Sequence, residues 1–444
     1  MTKSFLKGLK LAIIISIIII TSNSLKAQME CRSMLGAHLT PFKKDVPILW
    51  AIEGTMAPGL MTSPYANIDN TKLNGGMLLG ALDFTFLKKH NFYIEGGYKN
   101  WENSELVDEN TDKSRQLGIK QAFYTLTGNN FKLKIGLHET KLGNFYLIDE
   151  RILGASVDKE IGAFTINLRG GTVMKNFARM GQFCSNRHLY GILNPDYTEN
   201  IGKKTGETNL AGIVINWNPN FEKVDIASNS ENEFSSTDEF SDFSSTDEFS
   251  DVQKKQKIII SNIAIILYNE FGSIIPNHKL YTGSLIDFKL PYEFTFQTGG
   301  IYQNMKDHNT IVFIAGLVKN AGWNNGSNTK ISGAFIGKAD IDDDAVFQPL
   351  FSNLFLGEIM RLDASDFPLW KSEIKHNFPG KLNFYAAIKA VGQIKENETN
   401  EQDIEFGIKT FNNHLKLTTI FSRVETLAFP DDIYMARLEM RLAF

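Results

Sequence analysis

The stretch that decides the fold is Ile433 to Phe444, which reads IYMARLEMRLAF. Every second residue from Tyr434 onward is apolar. The positions between them include three charged residues, Arg437, Glu439 and Arg441. Successive side chains of a β-strand point to opposite faces, so one face of this predicted strand is apolar and the other charged. A charge that faces lipid near the bilayer centre costs about 2–4 kcal/mol. In a membrane the charged face must therefore line an enclosed aqueous space, whereas in a soluble edge strand it would face solvent.

The same alternation recurs upstream. In the segments 131–138 and 382–389, large apolar residues occupy every second position and mostly polar or small residues the positions between. A tilted strand needs about 9–11 residues to cross a membrane, and many of the alternating segments approach that length. The apolar run nearest to a transmembrane helix, residues 258–267, is too short and contains Ser261 and Asn262. Soluble β-sandwiches also alternate, so the pattern alone leaves both classes open.

The spacing of turns separates the two classes. Tight polar turns are predicted at 88–91, 128–130, 158–160, 379–380 and 412–413, and longer connections at 58–74, 101–114, 172–206, 340–366 and 425–432. Short turns at one end and long loops at the other are typical of outer-membrane barrels. We therefore predict an all-β fold, a transmembrane antiparallel up-and-down β-barrel of about 18 strands, with 16 as the alternative. The predicted strands are 48–57, 75–87, 91–100, 115–127, 131–138, 148–157, 161–171, 207–217, 257–269, 280–289, 293–303, 310–319, 329–339, 367–377, 381–392, 402–411, 414–424 and 433–444.

The N-terminal residues have the composition of a secretory signal peptide. Lys3, Lys7 and Lys10 precede an unbroken apolar run, residues 11–20, and a polar stretch then leads to Ala27. This order is that of a signal peptide, and the apolar run is shorter than the roughly 20 residues of a membrane anchor helix. We expect residues 1–27 to be the signal peptide and residues 28–444 to form a single barrel.

Bulk composition and the cysteines add constraints. The chain has 444 residues, 43% of them hydrophobic, and a formal net charge of −4. No basic stripe stands out, so nucleic acid is not expected as a partner. The two cysteines, Cys31 and Cys184, could form one disulfide in an oxidising compartment or remain free thiols.

A low-complexity insertion interrupts the strand pattern. The nine residues 234–242, FSSTDEFSD, are repeated unchanged at 243–251, inside an acidic, serine-rich stretch at 225–253. Such a composition cannot bury a core, so we expect no strand there. Strand parity places this insertion at the short-turn end, whereas long insertions are usual at the loop end. The sequence leaves open whether the parity slips or the insertion is an appendage on the turn side.

With its apolar alternation and final aromatic residue, the last strand resembles that of Gram-negative outer-membrane barrel proteins, the porins among them. The residues that carry the resemblance are Phe444, Leu442, Met440, Leu438 and Tyr434. The resemblance implies an outer-membrane location among lipid and lipopolysaccharide. It also implies that the barrel-assembly machinery reads Phe444, Leu442 and Met440, and that the protein is a porin-like channel.

The charged face of the strands supplies candidate pore-lining residues. They are Lys132, Lys134, Arg169, Lys389, Lys409, Arg437, Glu439 and Arg441. Basic residues, Lys416 among them, outnumber acidic ones on the predicted inner face, which favours small hydrophilic, anionic solutes, unless the charges merely pair across neighbouring strands. The long 172–206 connection carries Lys175, Arg179 and Arg187, which would act as a constriction loop if it folds into the lumen.

No catalytic, metal-binding or cofactor-binding motif is recognisable. The histidines are scattered, and no HExxH or Cys-x-x-Cys occurs, so we expect no enzymatic activity, no metal and no cofactor. Two alternatives to an open channel remain: a transporter for hydrophobic compounds, and an assembly or secretion component that recruits a partner through residues 225–253. A homo-oligomer is compatible with each.

Overall fold

The computed structural model describes eighteen stretches of the chain. They are residues 40–41, 48–56, 58–61, 71–87, 89–102, 115–142, 148–174, 208–219, 258–272, 279–305, 309–340, 355–356, 361–362, 368–380, 382–394, 399–410, 414–426 and 431–443. Within them, no helix is long and apolar enough to cross a membrane.

Antiparallel strands pair in sequence order to form one closed sheet. The strands are β1 (Thr40–Pro41), β2 (Ile48–Met56), β3 (Gly59–Met61), β4 (Thr71–Phe86), β5 (His90–Glu102), β6 (Arg115–Thr127), β7 (Phe131–Leu142), β8 (Ile148–Ile161), β9 (Phe164–Val173), β10 (Thr208–Trp217), β11 (Ile259–Gly272), β12 (Lys279–Lys289), β13 (Phe294–Asn304), β14 (Asn309–Gly322), β15 (Asn328–Asp340), β18 (Leu369–Asn377), β19 (Tyr385–Gln393), β20 (Thr399–Thr410), β21 (Leu415–Thr426) and β22 (Ile433–Ala443). A separate two-stranded sheet joins β16 (Phe355–Leu356) and β17 (Arg361–Leu362).

The barrel closes where the first long strand meets the last. Residues Glu53 to Met56 of β2 pair with β22, and the other edge of β2 pairs with β4. The short strand β3 continues the line of β2 and also pairs with both β22 and β4. Counting β2 and β3 as one strand and omitting β1, 18 strands surround the lumen, as the sequence predicted.

Two details of the closure were not predicted. The first strand is interrupted at Pro58, which has no amide hydrogen to donate to a ladder; its carbonyl accepts a hydrogen bond from the amide of Leu438 at 2.8 Å. The segment β1 pairs with Leu49 and Trp50 of β2, next to the position where β22 leaves off. The edge of β2 is thus shared between β22 and β1.

The two faces of the wall differ as the alternation requires. The outer face exposes large apolar side chains around the circumference, including Leu82, Ile135, Phe313, Ile388 and Leu438. Along β22, Ile433, Met435, Arg437, Glu439 and Arg441 are buried on the inner face. The charged side chains therefore face the lumen.

The connections are divided between the two ends of the barrel. Turns such as 128–130, 162–163, 323–327 and 378–384 lie at one end, here called the turn end, and the connections 103–114, 175–207 and 341–367 leave from the other, the loop end. Strand β10 reaches the turn end at Trp217, opposite Phe164, and β11 starts there at Ile259. The connection that contains the acidic repeat therefore leaves from the turn end, and the strand parity does not slip.

Of the predicted tight turns that lie within the described residues, one was wrong; the turn predicted at 412–413 lies outside them. Residues 158–160 were expected to form the turn between two strands, but β8 continues to Ile161 and the chain reverses at Gly162 and Ala163. Gly162 has a φ of +59°, a left-handed conformation that glycine adopts without steric cost and that tight hairpin turns require. The polar residues 158–160 lie in the ladder instead, and Asp158 faces the interior.

Several predictions fall outside the described residues. They concern the signal peptide 1–27, Cys31 and Cys184, Lys175, Arg179 and Arg187 of the constriction loop, the insertion 225–253, and Phe444. These stay predictions.

Close packing of β8 against β9 gives a first test. Gly154 lies directly opposite Gly171, and a Cβ atom on Gly154 would lie 2.0 Å from the carbonyl oxygen of Gly170. We expect Gly154→Ala to lower the free energy of unfolding by about 1–3 kcal/mol, because the backbones must separate. The loss of stability is followed as the temperature at which the folded band disappears on a denaturing gel.

The matched control for this test is Gly80→Ala. A Cβ atom there meets no described atom within 4 Å, and the residue is on the exposed face. Equal thermal stability of the Gly154→Ala variant and the control would contradict the close approach.

Candidate functional site

The register places every candidate pore-lining residue on the inner face. Lys132 lies opposite Asp158, Lys389 opposite Asp403, and Arg441 opposite Lys416. The remaining candidates, Lys134, Arg169, Lys409, Arg437 and Glu439, share the inner face of their strands. Met440 and Leu442, the described members of the predicted assembly signal, alternate with them on the outer face.

A β-bulge builds the first interior cluster. The pairing of β5 with β6 shifts between Glu95 and Gly96, so that Lys120 becomes the extra residue of β6. Simple alternation would place Lys120 and Gln121 on opposite faces, but a bulge disturbs that alternation, and both side chains are buried. Both donate to Glu95, at 2.8 Å from the Lys120 Nζ and 3.2 Å from the Gln121 Nε2. The hydroxyl of Tyr93 donates to the same carboxylate at 2.9 Å.

Other interior charges form ion pairs. The Arg169 guanidinium is 2.5 Å from Asp158, and the Lys389 ammonium is 2.9 Å from Glu405, each across two adjacent strands. Within β22, Arg437 and Glu439 are 3.9 Å apart. Pairing is therefore part of what these charges do, which was the alternative to an anion-attracting lining.

The pair between Arg441 and Glu53 joins the two strands that close the barrel. The Arg441 Nη2 donates to the Glu53 Oε2 at 2.5 Å, and the two residues are only 8% and 3% exposed. Such a pair resists separation, because removing either partner leaves an uncompensated buried charge. It therefore locks β22 onto β2 from the inside.

A second group of basic residues is arranged differently. Lys330, Lys375, Lys409, Lys416 and Arg441, here called the cationic arc, lie on the inner face near the turn end of strands β15 to β22. Lys330 is directly opposite Lys375, and Lys416 is directly opposite both Lys409 on one side and Arg441 on the other. Like charges directly opposite one another repel, so the register itself brings positive charge together on this part of the inner face.

Tyr385 sits inside the cationic arc. The Lys375 and Lys416 ammonium groups lie 4.7 Å and 5.9 Å from the centroid of its ring, within the range of cation–π attraction. Its hydroxyl donates to Glu405 at 2.5 Å and lies 3.2 Å from the Thr418 hydroxyl. The ring thus holds two ammonium groups beside the lumen.

The opposite side of the turn end is mixed in charge. Asp83, Asp158 and Asp287 lie on the inner face there, together with Lys132 and Arg169. On the side of the cationic arc, Glu53 lies beside Arg441 and Glu439 beside Arg437, and Glu401, Asp403 and Glu405 follow one another along β20 toward the loop end. Near the turn end, the directly opposed pairs Lys330–Lys375, Lys409–Lys416 and Lys416–Arg441 are nevertheless basic on both strands.

Two members of the cationic arc were missed by the sequence analysis. Lys330 and Lys375 lie in strands that were predicted at 329–339 and 367–377, and continuing the alternation along those strands would have found them. Their neighbourhood was not predictable, because it depends on the register between strands.

One contact resembles part of a catalytic apparatus. The Nε2 of His138 contacts the Ser156 hydroxyl, and the Nδ1 of the same ring is 2.9 Å from the Gly136 carbonyl oxygen. Catalytic serine–histidine pairs need an accessible nucleophile and a third group that orients the histidine. Here His138 and Ser156 are 1% and 4% exposed, so the pair packs the wall. Within the described stretches, no three His, Cys, Asp or Glu side chains are placed to hold a metal ion.

Solved structures match this barrel over most of its length. A BenF-like porin from Pseudomonas fluorescens Pf-5 aligns with a TM-score of 0.54 and 9% identity, covering 91% of this chain and 100% of its own. The fold is that of a porin. OccK9 (OpdG) from Pseudomonas aeruginosa shares this porin fold with a TM-score of 0.53 and 9% identity, over 89% of this chain and 98% of its own. OccK2 (OpdF) from Pseudomonas aeruginosa, in complex with glucuronate, has a TM-score of 0.52 and 10% identity, over 92% and 98%.

At such low identity the likeness to these porins establishes the fold alone. No protein-family model and no curated protein matches the sequence. What the porin fold does in this chain has to be argued from its own interior.

The closing ion pair gives a second test. We expect Arg441→Met to destabilise the barrel by about 3–5 kcal/mol, because the Glu53 carboxylate is left buried without its guanidinium partner. The double variant Glu53→Leu with Arg441→Met removes both charges and should recover much of that loss. The free energy of unfolding of each variant is measured by equilibrium urea titration of the barrel in lipid vesicles, followed by tryptophan fluorescence. A double variant no more stable than Arg441→Met would show that the pair does not hold the closure.

Proposed function

We propose that this protein is an outer-membrane channel that passes small hydrophilic solutes and prefers anions. The observation that carries the proposal is the cationic arc: five basic side chains on one side of the turn end, three of them in direct register on adjacent strands. A barrel of 16–18 strands encloses an aqueous channel, and charges of one sign along such a lining select for solutes of the opposite sign.

The attraction between the basic side chains and an anionic solute is weak enough for the solute to pass through the channel rather than stay bound. Two unit charges about 4 Å apart interact by about 1 kcal/mol in bulk water and by about 4 kcal/mol near a protein surface. Several basic groups acting together raise the local anion concentration without holding the solute tightly, which conduction requires. The glucuronate bound by OccK2 and the vanillate bound by OpdK of Pseudomonas aeruginosa are carboxylates, and we place small carboxylates first among the candidate solutes.

The location follows from the same argument. The apolar outer face needs a bilayer, and we place the turn end, from which the acidic 225–253 connection leaves, in the periplasm. Contact with lipopolysaccharide, recognition of Met440, Leu442 and Phe444 by the barrel-assembly machinery, and assembly into a homo-oligomer remain predictions of this proposal.

Charge reversal in the cationic arc tests the selectivity. We expect Lys409→Glu with Lys416→Glu to move the reversal potential of single channels, under a salt gradient, from anion preference toward cation preference. The physical reason is that two inward positive charges become negative at one level of the lumen. The control is Arg423→Glu, a single charge reversal on the outer face at the loop end, where Arg423 bonds to Asp432 at 2.7 Å. An unchanged reversal potential in the double variant would contradict anion selection by the arc.

Removing residues 225–253 separates a channel from an assembly component. The described strands on either side of this connection end at Trp217 and begin at Ile259, so the deletion removes none of their residues. A channel should keep its conductance in planar bilayers. Loss of a co-purifying partner together with unchanged barrel folding would favour the assembly or secretion alternative.

A further inference from the structure

The outer face of the wall is almost free of charge. Among strand residues whose side chains are described, outward-facing charged groups occur only near the two ends of the barrel. At the loop end, Glu139 pairs with Arg151 at 3.0 Å, and Arg423 with Glu425 at 3.5 Å. At the turn end the outward charges are two lysines, Lys159 and Lys319.

Each of these two lysines lies over a phenylalanine ring of the neighbouring strand. Lys159 of β8 lies directly opposite Phe131 of β7, and Lys319 of β14 lies directly opposite Phe294 of β13. The ammonium nitrogens are 6.0 Å and 4.8 Å from the centroids of the respective phenylalanine rings. Each lysine stands within a few residues of a turn, and the two strands are well separated around the barrel.

The outward charges at the two ends of the barrel differ in their partners. The loop-end arginines have carboxylate partners, whereas neither Lys159 nor Lys319 forms an ion pair with a described residue. A ring face attracts a cation but leaves its hydrogen-bond donors unused. Lysines at the edge of an apolar band extend their amino groups toward the headgroup region, where lipid phosphates accept charge-assisted hydrogen bonds.

We propose that Lys159 with Phe131, and Lys319 with Phe294, are two binding sites for the phosphate group of anionic phospholipids in the leaflet at the turn end. The phenylalanine packs beside the first acyl carbons and supports the lysine stem, and the ammonium binds the phosphate. The inference rests on the bilayer location proposed above but is independent of conduction. The two sites fix the depth of the barrel at two places on its circumference.

Native mass spectrometry of the detergent-purified full chain tests the sites, with dioleoyl phosphatidylglycerol and dioleoyl phosphatidylcholine as probes. We expect the protein to retain phosphatidylglycerol over phosphatidylcholine, and the double variant Lys159→Gln with Lys319→Gln to lose this preference, about fivefold in affinity at each site. The matched control is Lys289→Gln, which removes a lysine at the same end that the register places on the inner side of the wall.

Three results would overturn the assignment. They are equal retention of the two lipids by the unmodified protein, an unchanged preference in the double variant, and loss of the preference in excess inorganic phosphate, which would mean a site for free anions. Phe131→Leu with Phe294→Leu should weaken the preference while preserving the fold. A barrel that conducts no ions but retains phosphatidylglycerol would refute the proposed channel and leave the lipid sites standing.

Discussion

The structure depends on one constraint: within lipid, every backbone amide and carbonyl must find its partner inside the protein. A sheet meets that demand only when it has no free edge. In this chain the demand is met where β2 receives β22 on one edge and β4 on the other. Because β22 covers only part of that edge, β1 pairs with the uncovered residues Leu49 and Trp50. The strand that closes the barrel is thus irregular: it is interrupted at Pro58 and its edge is shared between β22 and β1.

Closure in turn dictates where charge can lie. With the outer face in contact with hydrocarbon, the charged side chains of the described strands lie in the lumen and at the two rims. Inside, most charges with short contacts are neutralised by neighbours, as in the Glu95 and Glu405 clusters. In the cationic arc, residues directly opposite one another have the same sign, although Arg441 is also paired with Glu53. Departures of this kind from the ordinary rules of pairing are common at functional sites.

The sequence predicted the positions of the long strands, but it did not predict the bulge and the break within them. Strand β6 was predicted at 115–127 and spans Arg115–Thr127, because period-two alternation reports directly which side chains face lipid. The turn expected at 158–160 was misplaced, because polar residues that face a wet lumen look the same as polar residues in a turn. The bulge at Lys120 and the break at Pro58 follow from pairing between strands, which alternation within one strand does not encode. For the same reason the candidate lining residues were found singly, and their arrangement into pairs and an arc was not.

The bulge in β6 has a consequence for how this wall tolerates length changes. A one-residue deletion in a regular strand turns everything beyond it inside out, sending lipid-facing groups into water and charges into hydrocarbon. At Lys120 an extra residue is already accommodated, since Glu95 and Gly96 are consecutive while their partners Gln121 and Ile119 are not. Excising Lys120 would restore regular pairing, with the facing of the flanking segments preserved. Lys120 is therefore a position where the wall can lose one residue without reversing the faces of the strand.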